Sequence, residues 1–438
     1  MRILLIQSYL GRKEKPLLPL GLAYIAGSLN GHEISIVDPN IENDPLGSIR
    51  KKLISFKPEV IGISLRNIDT TLYKDMFYYY KALFPTIELI KEIAPHSIII
   101  IGGAAFSLYA EGIMHQNPKI DFGIYLDGEE TFSELLNNLS NPAKVGGIYY
   151  RQNSKLLFSG MRASFDFVNA LNPRWELFNM SAYLHPEGIG VQSKRGCCLN
   201  CAYCTYPFLS GRSLRLRPPE KVVEEIELLV NKYRITHFVF SDTVFNLPQW
   251  HAVKICEEII RRKIAVKWTA YFSLKKIDDD FIVLAQRAGC YSFSFSPDGY
   301  SNKTLEILRK EVCKRDIKNV YKAVKKLQGA NFDFSFFINP PGQNYWSFIA
   351  LIWLFLKTNI LSSKKHMHVS LNLPRLEPHT ALCEIAIKEG TIGSEQDLLP
   401  LDGDDIYSAF YHNPNIKLVE RLFDFLLRLK KIRSKNKK

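Results

Sequence analysis

Two stretches of this chain alternate short apolar runs with amphipathic segments, and that alternation limits the possible folds more than any other feature. Within 1–140, residues 3–6, 34–37, 60–64, 98–101 and 122–125 read as strands, and helical spacing fills 20–29, 46–56, 86–94 and 131–139. Apolar strands separated by helices require a parallel sheet covered on both faces, because a parallel crossover needs a helix's length of chain and turns right-handed. The pattern predicts a doubly wound domain over 1–140 whose ligand lies over the carboxyl ends of the strands. A connector, 141–185, holds a hairpin of 147–150 against 156–159. From 188 to 373, strand-like runs at 189–193, 237–240, 267–271, 292–295, 334–338 and 368–371 alternate with helices such as 221–233 and 252–262. Six units are too few to close an eight-stranded barrel, so 186–376 reads as a partial (β/α)6 barrel of the TIM type with its chemistry at the carboxyl-terminal rim. The remainder, 377–438, adds helices and a basic tail.

Charge and composition narrow the function. The 438 residues carry a net charge of +13, but 428–438 alone hold seven Lys or Arg and no acid, so the body is only mildly basic. That tail reads as a solvated run, with weak attraction to nucleic acid or acidic lipid as the other reading; no nucleic-acid partner is expected. The N-terminus lacks the basic, apolar and small-residue zones of a signal peptide. The apolar window 346–356 stops at Lys357, short of the roughly 20 residues needed to cross a bilayer, and is expected to be a core-packed helix. No membrane span and a cytoplasmic, well-reduced setting are expected.

Cysteine placement is the anomaly. None of the eight cysteines precedes Cys197, and Cys197, Cys198, Cys201 and Cys204 fall within eight residues; Cys256, Cys290, Cys313 and Cys383 stand singly in periodic segments, where a thiol acts as a small hydrophobe. Spacing places the thiolates of Cys197, Cys201 and Cys204 on one short loop. A structural zinc site needs four ligands, and only the adjacent, geometrically disfavoured Cys198 is at hand. Three thiolates suit a [4Fe–4S] cluster with one open iron.

The run Lys194-Arg195-Gly196-Cys197-Cys198-Leu199-Asn200-Cys201-Ala202-Tyr203-Cys204 resembles the signature of the radical S-adenosylmethionine superfamily. The resemblance implies that Cys197, Cys201 and Cys204 ligate the cluster, that S-adenosylmethionine chelates the open iron, and that reduction releases a 5′-deoxyadenosyl radical. It also implies an adenine contact from Tyr203. Cys204-Thr205-Tyr206-Pro207, Gly211-Arg212 and Arg215-Leu216-Arg217 resemble the cobalamin-binding branch. By position, Asp242 would meet the cosubstrate's amine in place of the usual Gly-Gly-Glu, Ser294, Ser296 and Asp298 would meet the ribose, and Ile338 would sit in the turn beneath the adenine. For each of these a strand-end turn role stays open.

The first domain carries matching features at its strand ends: Gln7; Ser64, Arg66 and Asn67; Gly102 and Gly103; Gly128, Glu129 and Thr131. Glycines there allow close backbone approach to a large group. With Pro19-Leu20-Gly21-Leu22-Ala23-Tyr24 they resemble a cobalamin-binding domain, one lacking the Asp-x-His-x-x-Gly loop, since 8–15 contain no His. The resemblance implies cobalt without a His ligand; Arg66, which has no lone pair to offer a metal, either covers the lower corrin face or pairs with an anion.

Together these resemblances imply a cobalamin-dependent radical S-adenosylmethionine methyltransferase, moving a methyl group from methylcobalamin to an unactivated carbon of a small molecule or peptide. Oxidative cyclisation or ring rearrangement is the alternative. A tRNA methylthiotransferase needs further cysteines in its N-terminal domain, and 1–196 have none; a corrinoid-binding regulator would not need the three thiols. Arg375 or Glu377 is a candidate substrate anchor, with a helix-capping turn over 377–380 as the other reading; Tyr271 and Phe272 either line the cavity or fill core, and the resemblance implies a low-potential donor, flavodoxin or ferredoxin.

Overall fold

The computed structural model describes residues 1–11, 15–73, 76–275, 277–363, 365–400, 403–419 and 421. The basic tail and part of the 8–15 loop lie outside the described residues.

The first domain is built on seven strands: β1 (Arg2–Gln7), β2 (Glu33–Val37), β3 (Val60–Ser64), β4 (Ile98–Gly102), β5 (Phe122–Ile124), β6 (Ile148–Gln152) and β7 (Lys155–Phe158). Their order is β2-β1-β3-β4-β5-β6-β7, parallel as far as β5. The hairpin β6–β7, read from sequence as part of a connector, instead extends this sheet, with Phe122 opposite Tyr150 and Ile124 opposite Ile148 in antiparallel register. Strand β5 is only three residues long and would expose its edge; the hairpin pairs that edge and buries Ile148 and Tyr150.

The second domain contains β8 (Gly190–Val191), the antiparallel pair β9 (Lys194–Arg195) and β10 (Arg215–Leu216), then β11 (His237–Phe240), β12 (Lys267–Phe272), β13 (Cys290–Asp298), β14 (Asn331–Phe337) and β15 (Met367–Asn372). The main sheet runs β15-β14-β13-β12-β11-β8, all parallel and in chain order, as a partial barrel requires. Its two faces are written in the sequence as a period of two. In β13 Phe293 and Phe295 are buried while Ser292, Ser294 and Ser296 are half-buried; in β14 Phe332, Phe334 and Phe336 are buried while Asp333, Ser335 and Phe337 are half-buried. The phenylalanines pack against the helices, Phe293 stacking on Phe332 at 5.2 Å. The opposite face is polar, with Ser335 and Ser370 hydroxyls 2.8 Å apart. Phe272 is core and Tyr271 is exposed.

After β15 the chain returns to the first domain. Leu376, Leu382, Cys383 and Leu398 share a core with Ile61, Ile63 and Ile99. Arg375 is buried against Asp69, whose Oδ2 lies 2.9 Å from its Nη2 and 3.0 Å from its Nε. Glu377 accepts a 2.9 Å hydrogen bond from the Tyr109 hydroxyl. Neither is a rim anchor for substrate: both close the seam between the returning chain and the first domain. The apolar helix Tyr345–Asn359 also departs from expectation, since only Ser347, Leu351, Leu354 and Thr358 of it are buried.

Removing one member of a buried pair strands the other charge away from water. Asp69→Ala is expected to cost about 3–5 kcal/mol in urea unfolding, and the double replacement Asp69→Leu with Arg375→Met to recover most of it.

Candidate active site

The cysteine loop begins where β9 ends. Gly196 has φ of +91°, and a Cβ there would lie 2.1 Å from the Ser213 carbonyl oxygen, so glycine alone allows the chain to turn at that point. Backbone bonds then tie the loop down: Cys197 N–H to Gly211 O at 3.0 Å, Ala202 N–H to Leu308 O at 2.9 Å and Cys204 N–H to Cys201 O at 3.1 Å. Cys197 is buried, Cys201 and Cys204 are half-buried and Cys198 is exposed. Burial raises the Cys201 thiol and pushes Cys204 up to about 12, and the neighbouring cysteines add to both. Such thiols stay protonated at neutral pH until a metal displaces the proton.

Two buried polar clusters brace this loop. Asp242, at the end of β11, accepts hydrogen bonds from Ser193 N–H at 2.8 Å and Lys194 N–H at 3.1 Å, and from the Ser193 hydroxyl. The Lys194 ammonium lies 3.5 Å away and donates to the Phe245 carbonyl at 2.7 Å. Both Asp242 oxygens are thus engaged, so the expected amine contact gives way to a bracing role. Asp298, with φ of +63° at the end of β13, accepts from the Tyr203 hydroxyl and from Lys310 Nζ at 2.9 Å; Lys310 also reaches Ser296 O at 2.8 Å. Burial opposes the Lys310 ammonium, but Asp298 and Cys201 outweigh it and raise its pKa. Asp298 therefore anchors Tyr203, whose ring meets Phe337 edge-on at 4.9 Å. Ser294 and Ser296 point to the polar face. The Ile338 carbonyl accepts from the Gln343 amide, which fixes the turn after β14.

The first domain offers a cavity of about 260 Å³ over the carboxyl ends of its strands, lined by Ser64, Gly102, Gly103, Gly128 and Glu129 among others. A Cβ on Gly102 would meet only Ile124, at 3.6 Å, and one on Gly21 would meet nothing within 4 Å, so the absence of side chains leaves this space open. Residues on either side of the cysteine loop line the same cavity: Arg195 before it, and Tyr206, Leu209 and Ser210 after it. Gln7 is buried at the end of β1 level with Ser64, outside that lining, as are Arg66 and Asn67. Arg66 is exposed beside Tyr206, where its charge opposes the rise that burial imposes on the phenol, and it makes no ion pair among the described residues. Thr131 is fully buried with its hydroxyl bonded to the Asp127 carbonyl at 3.0 Å; it holds the first turn of a helix and lies outside the cavity lining.

Sequence reasoning missed the contact that joins the two halves. Arg195 donates to Asp127 Oδ1 at 3.1 Å and Glu129 Oε1 at 2.5 Å, while Arg215, its partner across β9–β10, donates to Asp127 Oδ2 at 2.9 Å. Glu129, expected at a cofactor, is thus an ion-pair partner on the cavity wall. The available signal was an unexplained basic pair flanking the cysteine motif and an acidic pair flanking the Gly128 turn.

Comparison with known proteins follows this division. The B12 binding domain model matches 9–136 and the Radical SAM superfamily model matches 191–354. The chain is similar to an uncharacterized methyltransferase of Pyrococcus horikoshii, 27% identical over 74% of this chain and 70% of the relative. It is also similar to the anaerobic magnesium-protoporphyrin IX monomethyl ester cyclase of Rubrivivax gelatinosus, 23% identical over 70% of this chain and 56% of the relative, so it spans little more than half of that protein. Its fold matches the radical S-adenosylmethionine methyltransferase TsrM of Kitasatospora setae, solved with cobalamin and a [4Fe–4S] cluster, with TM-score 0.75 at 19% identity over 89% of this chain and 75% of that one. A B12 domain joined to a radical domain, with three cysteines and a glycine-lined cavity meeting at their junction, places this chain in the family of cobalamin-binding radical S-adenosylmethionine enzymes.

Proposed function

We propose that this enzyme transfers a methyl group to an unactivated carbon of a small molecule or peptide held on the polar face of the partial barrel. The observation that carries this reading is the shared lining: the segments bracketing the cysteine loop form part of the wall of the first domain's cavity.

The residues present fit the family's cofactors. Three free thiols on one short loop, Cys197, Cys201 and Cys204, supply the donor set of a cluster that keeps one iron open. The glycine-lined, largely apolar cavity suits the insertion of a flat or aromatic group. When bound, these cofactors supply radical generation and methyl donation.

The chain's own residues position and shield. Cys197, Cys201 and Cys204 are the cluster ligands; Asp242 and Lys194 hold the strand leading into their loop, and Lys310 and Asp298 fix Tyr203 within it. Ser294, Ser296 and Ser335 offer hydroxyls on the inner face for orienting substrate, and orientation is what a radical reaction on an inert carbon most requires. Arg66, cationic and unable to ligate a metal, stands exposed beside Tyr206 of the cavity wall, where it would present a charge and no ligand to a bound corrin. An acidic low-potential protein is the fitting electron source for a chain of net charge +13.

Three measurements test this. Cys201→Ser is expected to abolish the broad iron–sulfur absorbance after anaerobic reconstitution, whereas Cys198→Ser, changing an exposed thiol, keeps it. Gly102→Val is expected to fill the cavity, so that retained cobalamin falls while iron content is unchanged. With S-adenosylmethionine deuterated in its methyl group, the reduced enzyme is expected to yield S-adenosylhomocysteine, 5′-deoxyadenosine and a product carrying the label; 5′-deoxyadenosine with an unlabelled, cyclised product would overturn the methyl-transfer reading.

A further inference from the structure

The helix Tyr345–Asn359 is apolar on nearly every side, yet one side is open to water. Trp346 is 81% exposed, Ile349 56% and Trp353 58%; these positions, spaced by three and four residues, lie along one stripe. Ile360 and Leu361, just beyond the helix, are each 65% exposed. Isolated exposed apolar residues need no explanation, but a continuous stripe with two tryptophans marks a surface that is covered in use.

Charge identifies what covers it. Residues 334–376 contain no Asp or Glu, while Lys357 and Lys365 stand exposed near the end of the stripe. A second copy of this chain, meeting the same patch by twofold symmetry, would bring no acid from 334–376 to pair these lysines. An anionic lipid surface satisfies both features at once: tryptophan and tyrosine settle at the boundary between headgroups and acyl chains, and lysines meet the lipid phosphates. The chain after the barrel strengthens the same edge. Asn413 donates to the carbonyls of Pro340 at 2.7 Å and Gln343 at 3.2 Å, so it is fastened beside the start of this helix. Leu418, 68% exposed, follows. No helix among the described residues is long and apolar enough to cross a membrane, so contact would be with one leaflet.

We propose that the face formed by Trp346, Ile349, Trp353, Ile360 and Leu361 binds the surface of an anionic lipid bilayer. The helix begins at the carboxyl end of β14, the same end of the barrel as the cysteine loop. From there it runs back along the flank of the barrel toward the start of β15, so binding lays that flank on the membrane, with Trp346 nearest the mouth. The surface inference does not depend on the reaction, and its test needs no turnover.

Full-length protein with its cofactors bound is mixed with vesicles of phosphatidylcholine alone or of phosphatidylcholine with phosphatidylglycerol, and sedimented. Cosedimentation is expected with the anionic vesicles, reduced by high salt, together with a blue shift of tryptophan emission. The double variant Trp346→Ser with Trp353→Ser is expected to weaken it by about tenfold or more, while keeping iron–sulfur absorbance as evidence of folding; Lys357→Glu with Lys365→Glu is expected to remove the preference for anionic vesicles. Three results would overturn the proposal: no binding to either vesicle, binding by the tryptophan variant equal to that of the parent, or a dimer in solution that the tryptophan variant converts to monomer.

Discussion

The arrangement turns on a guanidinium out of water. Arg195 is held between Asp127 and Glu129 of the first domain, with its charge 4.4 Å over the ring of Phe167. Burial works against the cation, but the two carboxylates outweigh it and raise its pKa. A charge in that position tolerates no loosening of its partners, since separation would leave it neither paired nor hydrated. Because Arg195 is two residues before Cys197, the pair fixes the cysteine loop to the wall of the first domain's cavity. A second link runs parallel to it: Arg217, paired with Glu225 at 2.6 Å, also donates to the Tyr24 hydroxyl at 3.2 Å, joining the barrel to the helix Leu20–Ser28.

Around the loop, acidic strand-end residues act as braces. Asp242 and Asp298 terminate β11 and β13, where a barrel collects its functional groups, yet each faces a lysine and the backbone or phenol of the cysteine segment. Under the proposed function, cofactor-facing chemistry falls to sulfur and to main-chain surfaces freed by glycine, and the serines of the inner face are left for substrate. Holding ligands through packed outer partners is how a site keeps sub-ångström geometry. The returning chain after β15 adds the same economy of motion from outside, with Arg375 and Glu377 locking it to Asp69 and Tyr109.

What the sequence determined by itself was whatever repeats locally. Phe-Ser alternation in β13 and β14 has a two-residue period and predicts which face packs; apolar runs separated by helical spacing predict parallel sheets; three cysteines within eight residues predict their shared loop. Strand β3 was legible to its last residue for this reason. Folding alone decided the pairings made between distant segments. Asp69 and Arg375 stand 306 positions apart, and Arg195 lies 66 from Glu129; neither carries any local mark of its partner, because a charge's partner is set by three-dimensional proximity and by the dehydration that makes pairing obligatory. The same holds for Asp242 and Thr131, whose side chains are taken up by backbone partners, for Glu129, which lines the cavity while paired with Arg195, and for the helix Tyr345–Asn359. Its composition indicates an apolar environment, but only the packing of β14, β15 and the helix together leaves Trp346 and Trp353 facing outward.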